Sequence, residues 1–371
     1  MKFGINYISS APTTYEGKAA AHDRALNEWL NLGIEAERLG FWSAWTTEHH
    51  FQSDRDYQPY GVSADEYAVA DYDMATDPLQ LLGWLAAKTT NLRVGSGVVV
   101  LHWDHPMRVA ERAAILDNLS GGRLELGVGR GAGWREHEMY KVPVDPAENG
   151  RKYHESIEII RRAWAGEPFE FQGEFFEFPK VALTPTPKRQ PAPLWIGSAS
   201  LDSAEWAGGE GLPYATITWP LTQIEHYIEK RRVFTQAASH AGYDPAAFDV
   251  PHFLMMYCGE TDEEAAETAR YHLMQFQYIV EGHYEFWRRS QKGTWLGASA
   301  GEMENLDYLA NFPIIHHIIG SPDTCAERVD FFKKDVGVDY IVCNIGFGAM
   351  PYTKTLESMR RFADKVIPRF A

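Results

Sequence analysis

Cysteine is scarce in this chain. There are three in 371 residues (Cys258, Cys325 and Cys343), with no CxxC and no paired spacing, so a disulfide scaffold is excluded as the organising principle. Cys343 sits in the apolar run Tyr340-Ile-Val-Cys-Asn344 and reads as a buried, inert thiol. Long apolar runs are missing too. None approaches the roughly 20 residues needed to span a bilayer, and the opening MKFGINYISS carries neither a long apolar stretch nor a small-residue cleavage site. No membrane association and no signal peptide are therefore expected, and sparse cysteine fits a reducing, cytoplasmic setting. Positive charge is also short: 35 Lys and Arg stand against 51 Asp and Glu, a net charge of −16. Such a surface repels phosphate backbones and anionic lipid, which argues against nucleic acid as a partner. No internal repeat and no low-complexity tract is present.

What the chain does have is apolar content. At 45% hydrophobic, 13% aromatic and 23% charged, it can bury a large core, which excludes disorder and fibrous architecture. Its length, at about 150 residues per domain, suggests two or three domains, but α/β barrels often exceed that size as one. Short β-branched runs alternate with helical-period segments. The expected strands are Phe3–Ile8, Trp42–Thr46, Leu92–Leu101, Leu124–Val128, Leu194–Ile196, Tyr214–Thr218, Phe253–Cys258 and Tyr340–Asn344. Helices are expected over Ala21–Leu39, Pro106–Leu119 and Pro322–Asp335, the last two opening on proline. Strands alternating with helices make parallel βα units, in a doubly wound sheet or a barrel. A count of eight favours a single (β/α)8 barrel over residues 1–371.

Three stretches interrupt the alternation. Residues 52–75 hold six acidic residues and one Arg with little apolar periodicity. Residues 167–193 carry an aromatic, hairpin-like run from Phe169 to Phe178 and then four prolines. Residues 288–306 contain Gly293, Gly297 and Gly301, which suits a mobile lid.

In a parallel βα protein, ligands bind at the carboxyl ends of the strands. That rule selects Thr47-Glu-His-His50, His102-Trp-Asp-His105, Gly127-Val-Gly-Arg130 and Gly197-Ser-Ala-Ser200-Leu-Asp-Ser203. Ser200 and Ser203 stand at the N-cap and third position of the next helix. They serve as a plain cap or, with the free amides there, as an anion site. Arg130 supplies the guanidinium a phosphate wants, unless a carboxylate already holds it. His49 and His50 are open to three readings: acid/base groups beside a ligand, metal ligands together with His102, Asp104 and His105, or structural histidines. Trp45, Trp103, Trp134 and Trp219, near strand ends, suit either a dry apolar pocket or core packing.

Taken in order, several segments resemble those of the bacterial luciferase-like flavin-dependent monooxygenases. They are Ala36-Glu-Arg-Leu-Gly-Phe-Trp42, Glu48-His-His-Phe51, Val94-Gly-Ser-Gly-Val98, Asp104-His-Pro-Met-Arg-Val-Ala-Glu111 and Leu116-Asp-Asn-Leu-Ser-Gly-Gly-Arg123. They continue through Gly127-Val-Gly-Arg130, Ser200-Leu-Asp-Ser-Ala-Glu-Trp-Ala207, Ile319-Gly-Ser-Pro-Asp323 and Phe362-Ala-Asp-Lys-Val-Ile-Pro368, covering nearly the whole chain.

The resemblance implies a (β/α)8 TIM barrel with reduced FMN in its mouth. Arg130, Ser200 and Ser203 would hold the phosphate, and Trp219 would border the isoalloxazine. His49 would be the active-site histidine. Gly97-Val98 would be a place for a non-prolyl cis peptide beneath the flavin. The reaction implied is a two-component one. A separate NAD(P)H:flavin reductase supplies FMNH2, O2 forms a C4a-(hydro)peroxide, and one oxygen atom passes to an apolar organic substrate. A homodimer through Gln80–Lys88 and Pro106–Leu119 is implied as well. The sequence departs from luciferase in the length of 52–75 and in Gly129, where luciferase has a reactive cysteine. Three other readings stay open. One is an F420-dependent oxidoreductase of the same fold. Another is a metal-dependent barrel hydrolase, for which Phe3-Gly-Ile-Asn-Tyr-Ile8 supplies no His-x-His pair. The third is a non-catalytic flavin-binding protein.

Overall fold

The computed structural model describes residues 1–7, 11–12, 18–50, 70–71, 77–131, 139–142, 145–191, 194–197, 200–217, 224–270, 272–273, 317–348 and 350–371. Eight of its strands close into a parallel barrel. They are β1 (Lys2–Tyr7), β2 (Ser43–Thr46), β3 (Arg93–Val100), β4 (Leu124–Gly129), β5 (Leu194–Gly197), β6 (Tyr214–Ile217), β7 (Pro251–Cys258) and β8 (Tyr340–Ile345). Neighbours in sequence are neighbours in space. β8 returns to pair with β1 from Lys2↔Tyr340 to Tyr7↔Ile345, and β6 meets β7 at Thr216↔His252. All eight strands expected from the sequence are present. Every residue of β7 and of β8 is buried, as strands covered on both faces require.

Helices follow each barrel strand: α1 (Lys18–Arg38), α2 (Pro78–Lys88), α3 (Pro106–Leu119), α4 (Pro146–Trp164), α5 (Leu201–Gly209), α6 (Ile224–His240), α7 (Pro322–Phe331) and α8 (Tyr352–Lys365). Four share one start signal, a polar cap followed by proline. Asp77, His105, Asp145 and Ser321 accept from backbone amides of the first turn, and proline stands where an amide would have no partner. The helix expected to reach Asp335 stops at Phe331, where a π-helical turn, Phe332–Val336, replaces its last turn before Gly337 at φ +78°. Among the described residues no helix is long and apolar enough to cross a membrane.

The barrel interior is filled by Trp45, Trp195, Ala215, Phe253, Tyr340 and Val342. Trp45 fits because β3 has a glycine beside it: a Cβ on Gly95 would lie 2.3 Å from the indole. The indole points toward the amino-terminal end, where its Nε1 donates to Ser43 Oγ at 2.8 Å and Ser43 bonds the Tyr340 hydroxyl at 2.6 Å. At that end Glu125 is buried between Arg93, Arg189 and the Trp195 indole N–H.

The 167–193 insertion does form a hairpin, Phe169–Gln172 against Glu177–Val181, whose turn amides donate to the Glu155 carboxylate. Its later part brings Arg189 to Glu125. Of the 52–75 excursion only Ala70–Asp71 is described, paired antiparallel with Ala11–Pro12. The 288–306 segment, Trp134 and Trp219 lie outside the described residues.

Candidate active site

At the carboxyl end of β2 the chain runs Thr47-Glu-His-His50, all half-buried. Glu48 ties this end to the next strand. One carboxylate oxygen accepts from the Val100 amide at the tip of β3, and the other meets His50 Nε2 at 3.0 Å. The His50 ring stands edge-on to Trp103 at 5.2 Å and to Tyr140 at 6.2 Å, while Trp103 and Tyr140 stack at 5.9 Å. The four side chains make an acidic and aromatic wall on one side of the mouth. His49, between them in sequence, is half-buried.

The floor beside this wall is built by β3, β4 and β5. The Gly97–Val98 peptide is cis. Val98 is wedged between two glycines: a Cβ on Gly129 would come within 2.4 Å of Val98 Cγ2, and one on Gly197 within 2.7 Å of Cγ1. Gly129 is therefore more than a chemically silent position. It makes room for Val98.

A third group gathers where β4 and β5 end. Ser200 is the N-cap of α5 and accepts from the Ser203 amide at 3.2 Å, and the two hydroxyls lie 2.9 Å apart. The helix runs from Leu201 to Gly209. Arg130 follows β4 directly, is exposed, and has no ion pair among the described residues. Its Nη1 lies 3.8 Å from the position of a Cβ on Gly150 of α4. A guanidinium without an ion pair among the described residues, two hydroxyls and a helix N-terminus form a donor set suited to a phosphate, and in that respect the residues fit a flavin mononucleotide.

Other expectations separate here. Asp104 bonds Arg112 at 2.6 Å, and His105 Nδ1 caps α3 at Met107 N while its ring packs on Phe176. Those groups are spent on structure, and among the described residues no three His, Cys, Asp or Glu side chains gather as a metal site. Trp45 belongs to the barrel filling, whereas Trp103 belongs to the mouth. The three cysteines are free and buried, and burial pushes the Cys343 thiol well up.

Sequence reasoning passed over Asn6 and Asn344. They face each other across β1 and β8 with Asn6 Nδ2 donating to Asn344 Oδ1 at 2.8 Å. Both are fully buried, and Asn6 Oδ1 and Asn344 Nδ2 have no hydrogen-bond partner among the described residues. A lone polar residue at an inward position of an otherwise apolar strand was the available signal.

Comparison with known proteins agrees with this geometry. The family model for luciferase-like monooxygenases matches residues 1–340. The chain is 26% identical over 353 residues to the oxygenase component of flavin-dependent trigonelline monooxygenase of Acinetobacter baylyi, covering 93% of this chain and 90% of that one. The structure of the monooxygenase RslO1 from Streptomyces bottropensis superposes with a TM-score of 0.79 at 25% identity over the full length of both chains. Two further structures share the fold. The oxygenating constituent of 3,6-diketocamphane monooxygenase from Pseudomonas putida, in complex with FMN, has a TM-score of 0.73 at 19% identity, covering 100% of this chain and 98% of that one. An F420-dependent secondary alcohol dehydrogenase has a TM-score of 0.73 at 17% identity, covering 100% and 99%. The chain belongs to the luciferase-like monooxygenase family, and it is an enzyme of the flavin-dependent monooxygenase class.

Proposed function

We propose that this chain is the oxygenase component of a two-component monooxygenase. It binds reduced FMN delivered by a separate NAD(P)H:flavin reductase and places one atom of O2 into an apolar organic substrate. The observation that carries this reading is Arg130, without an ion pair among the described residues, at the end of β4, whose neighbour β5 leads into the Ser200/Ser203 cap. The flavin-dependent oxygenase component at 26% identity supports it from the side of sequence.

Bound reduced flavin supplies the electrons that activate O2, and the protein's part is binding, orientation and proton management. Arg130 and the two serines hold the phosphate. Gly97, Val98 and Trp219 would hold the ring system. His49 holds or moves a proton at the reacting centre. The Trp103–Tyr140 stack favours a substrate with an apolar surface.

The test is turnover with FMN, a reductase, NADH, O2 and a panel of organic substrates, read as product mass shifts. His49→Ala is expected to abolish product while leaving reduced FMN bound. Unchanged coupling of flavin oxidation to product would remove His49 from this role. Oxygen consumption that yields only H2O2 across a broad panel would favour a flavin-binding protein without oxygenation. The deazaflavin reading has fold likeness alone behind it, and tighter binding of reduced F420 than of reduced FMN would establish it in place of FMN.

A homodimer through α2 and α3 is part of the same proposal. Trp84, Ile115 and Leu119 are 62%, 41% and 82% exposed on these helices, an apolar set that solvent does not favour. Light scattering is expected to show a dimer at micromolar concentration for the wild type and a monomer for Trp84→Glu.

A further inference from the structure

His154 stands on α4, one turn beyond Gly150, and its ring lies flat on the indole of Trp206 at 4.1 Å with 8° between the planes. Trp206 is on α5 three residues after Ser203. That spacing puts the two on one side of the helix, so the stack continues the face that begins at the Ser200/Ser203 cap. On α4 the same alignment holds: Arg130 Nη1 lies against Gly150, one turn before His154. A guanidinium, two hydroxyls and an imidazole thus line two facing helix turns at the end of β4. None of the readings above gives His154 a task.

We propose that His154 is the proton-accepting partner of this corner: when a phosphate dianion docks on Arg130, Ser200 and Ser203, the His154 imidazole takes up a proton. Cofactor binding and protonation are linked. The inference rests on reading the corner as the cofactor's phosphate site.

The charges around His154 make this specific. Burial first, and then the positive charge of Arg130, hold its pKa below the ordinary histidine value, with Glu210 acting in the opposite direction. Glu210 is engaged by Arg161 at 2.9 Å. On its own helix Arg151 pairs with Glu174 at 2.9 Å and Glu158 with Arg162 at 3.7 Å. The neighbouring Tyr153 donates its hydroxyl to the Val128 carbonyl, and burial pushes its ionisation far up. Arg130 is therefore the one nearby cation acting on His154 without an ion partner among the described residues. A dianion on Arg130 cancels that repulsion and adds attraction, so the imidazolium becomes the favoured form. The flat indole beneath accepts it, since a cation over the face of Trp is attracted to the ring.

The measurement is calorimetric proton counting. Reduced FMN and reduced riboflavin, which lacks the phosphate, are titrated anaerobically near pH 7 in buffers of different ionisation enthalpy. The wild type is expected to take up about half a proton with FMN and none with riboflavin. FMN affinity should correspondingly fall with a slope of about threefold per pH unit around pH 7, levelling off above it as the uptake dies away. The phosphate's own second ionisation, near pH 6, would release a small fraction of a proton and so has the wrong sign to imitate uptake. His154→Phe keeps an aromatic ring on Trp206 and removes the proton site, so uptake should vanish while FMN still binds better than riboflavin. Uptake that persists in His154→Phe overturns the role of His154 and leaves the phosphate site standing. FMN and riboflavin binding equally, with equal proton counts, overturns the phosphate site itself. If His154→Phe does not fold, His154→Gln serves, together with NMR titration of the wild-type ring. A His154 pKa that rises on adding FMN supports the linkage, and one that does not move refutes it.

Discussion

At the amino-terminal end of the barrel Glu125 is buried against Arg93, Arg189 and the Trp195 indole, while at the carboxyl end Arg130 stands exposed with no ion partner among the described residues. Below, Glu125 has its counter-charges in Arg93 and Arg189, and the hydroxyls of Ser43 and Tyr340 are joined to Trp45. Above, Arg130 has no ion pair, and Asn6 and Asn344 keep unspent hydrogen-bonding atoms, among the described residues. Satisfied charge fixes the fold, whereas charge without an internal partner is capacity for a ligand. Residues of the same type thus have opposite consequences at the two ends.

The largest effect should come from the closed end. Glu125→Ala strands two guanidinium groups around a site that is only 5% exposed, so the expected loss of stability is about 3 kcal/mol or more in urea unfolding. A loss below about 1 kcal/mol would show that the floor does not hold the barrel together. Next is Gly129→Ala, whose methyl would meet Val98 Cγ2 at 2.4 Å; overpacking of this kind costs about 2 kcal/mol. Val98→Ala in the same chain should restore most of it, and failure to do so would place the strain elsewhere. Arg130→Gln sharpens the contrast from the open end. Stability is expected to stay within about 0.5 kcal/mol of the wild type, while reduced FMN binds about tenfold more weakly, roughly 1.4 kcal/mol. An equal loss for riboflavin would mean that Arg130 does not contact the phosphate. The smallest effect belongs to Ser200→Ala, which removes the α5 cap at a cost of about 1 kcal/mol by thermal unfolding. A further few-fold loss of FMN affinity would separate its two roles.

The barrel was legible in the sequence because its signals are local. Eight apolar runs such as Tyr340–Asn344, and prolines 106 and 322 behind polar caps, report their own conformation. The strand-end rule then selected His49, Arg130 and Ser200 as candidates without knowledge of their neighbours. What it could not find were pairings between distant segments. Nothing near Glu48 announces the Val100 amide, and nothing near His154 announces Trp206, 52 positions later in sequence and stacked on it. Gly129 shows the same limit. As a letter it marks a missing cysteine, and only packing against Val98 gives its absence of a side chain a purpose.

The aromatic filling of the barrel has a kinetic consequence. With Trp45, Trp195, Phe253 and Tyr340 occupying the interior and Glu125 locked beneath them, the described residues close the barrel at its amino-terminal end, so that a ligand at the other end would enter and leave by the same side. In such a passage the order of arrival fixes the order of departure: whatever lies deeper enters first and leaves last. A ligand seated on the Val98 floor, as the proposed function has it, would be held for as long as anything larger than O2 stood above it, and two ligands bound in that order would leave in the reverse order.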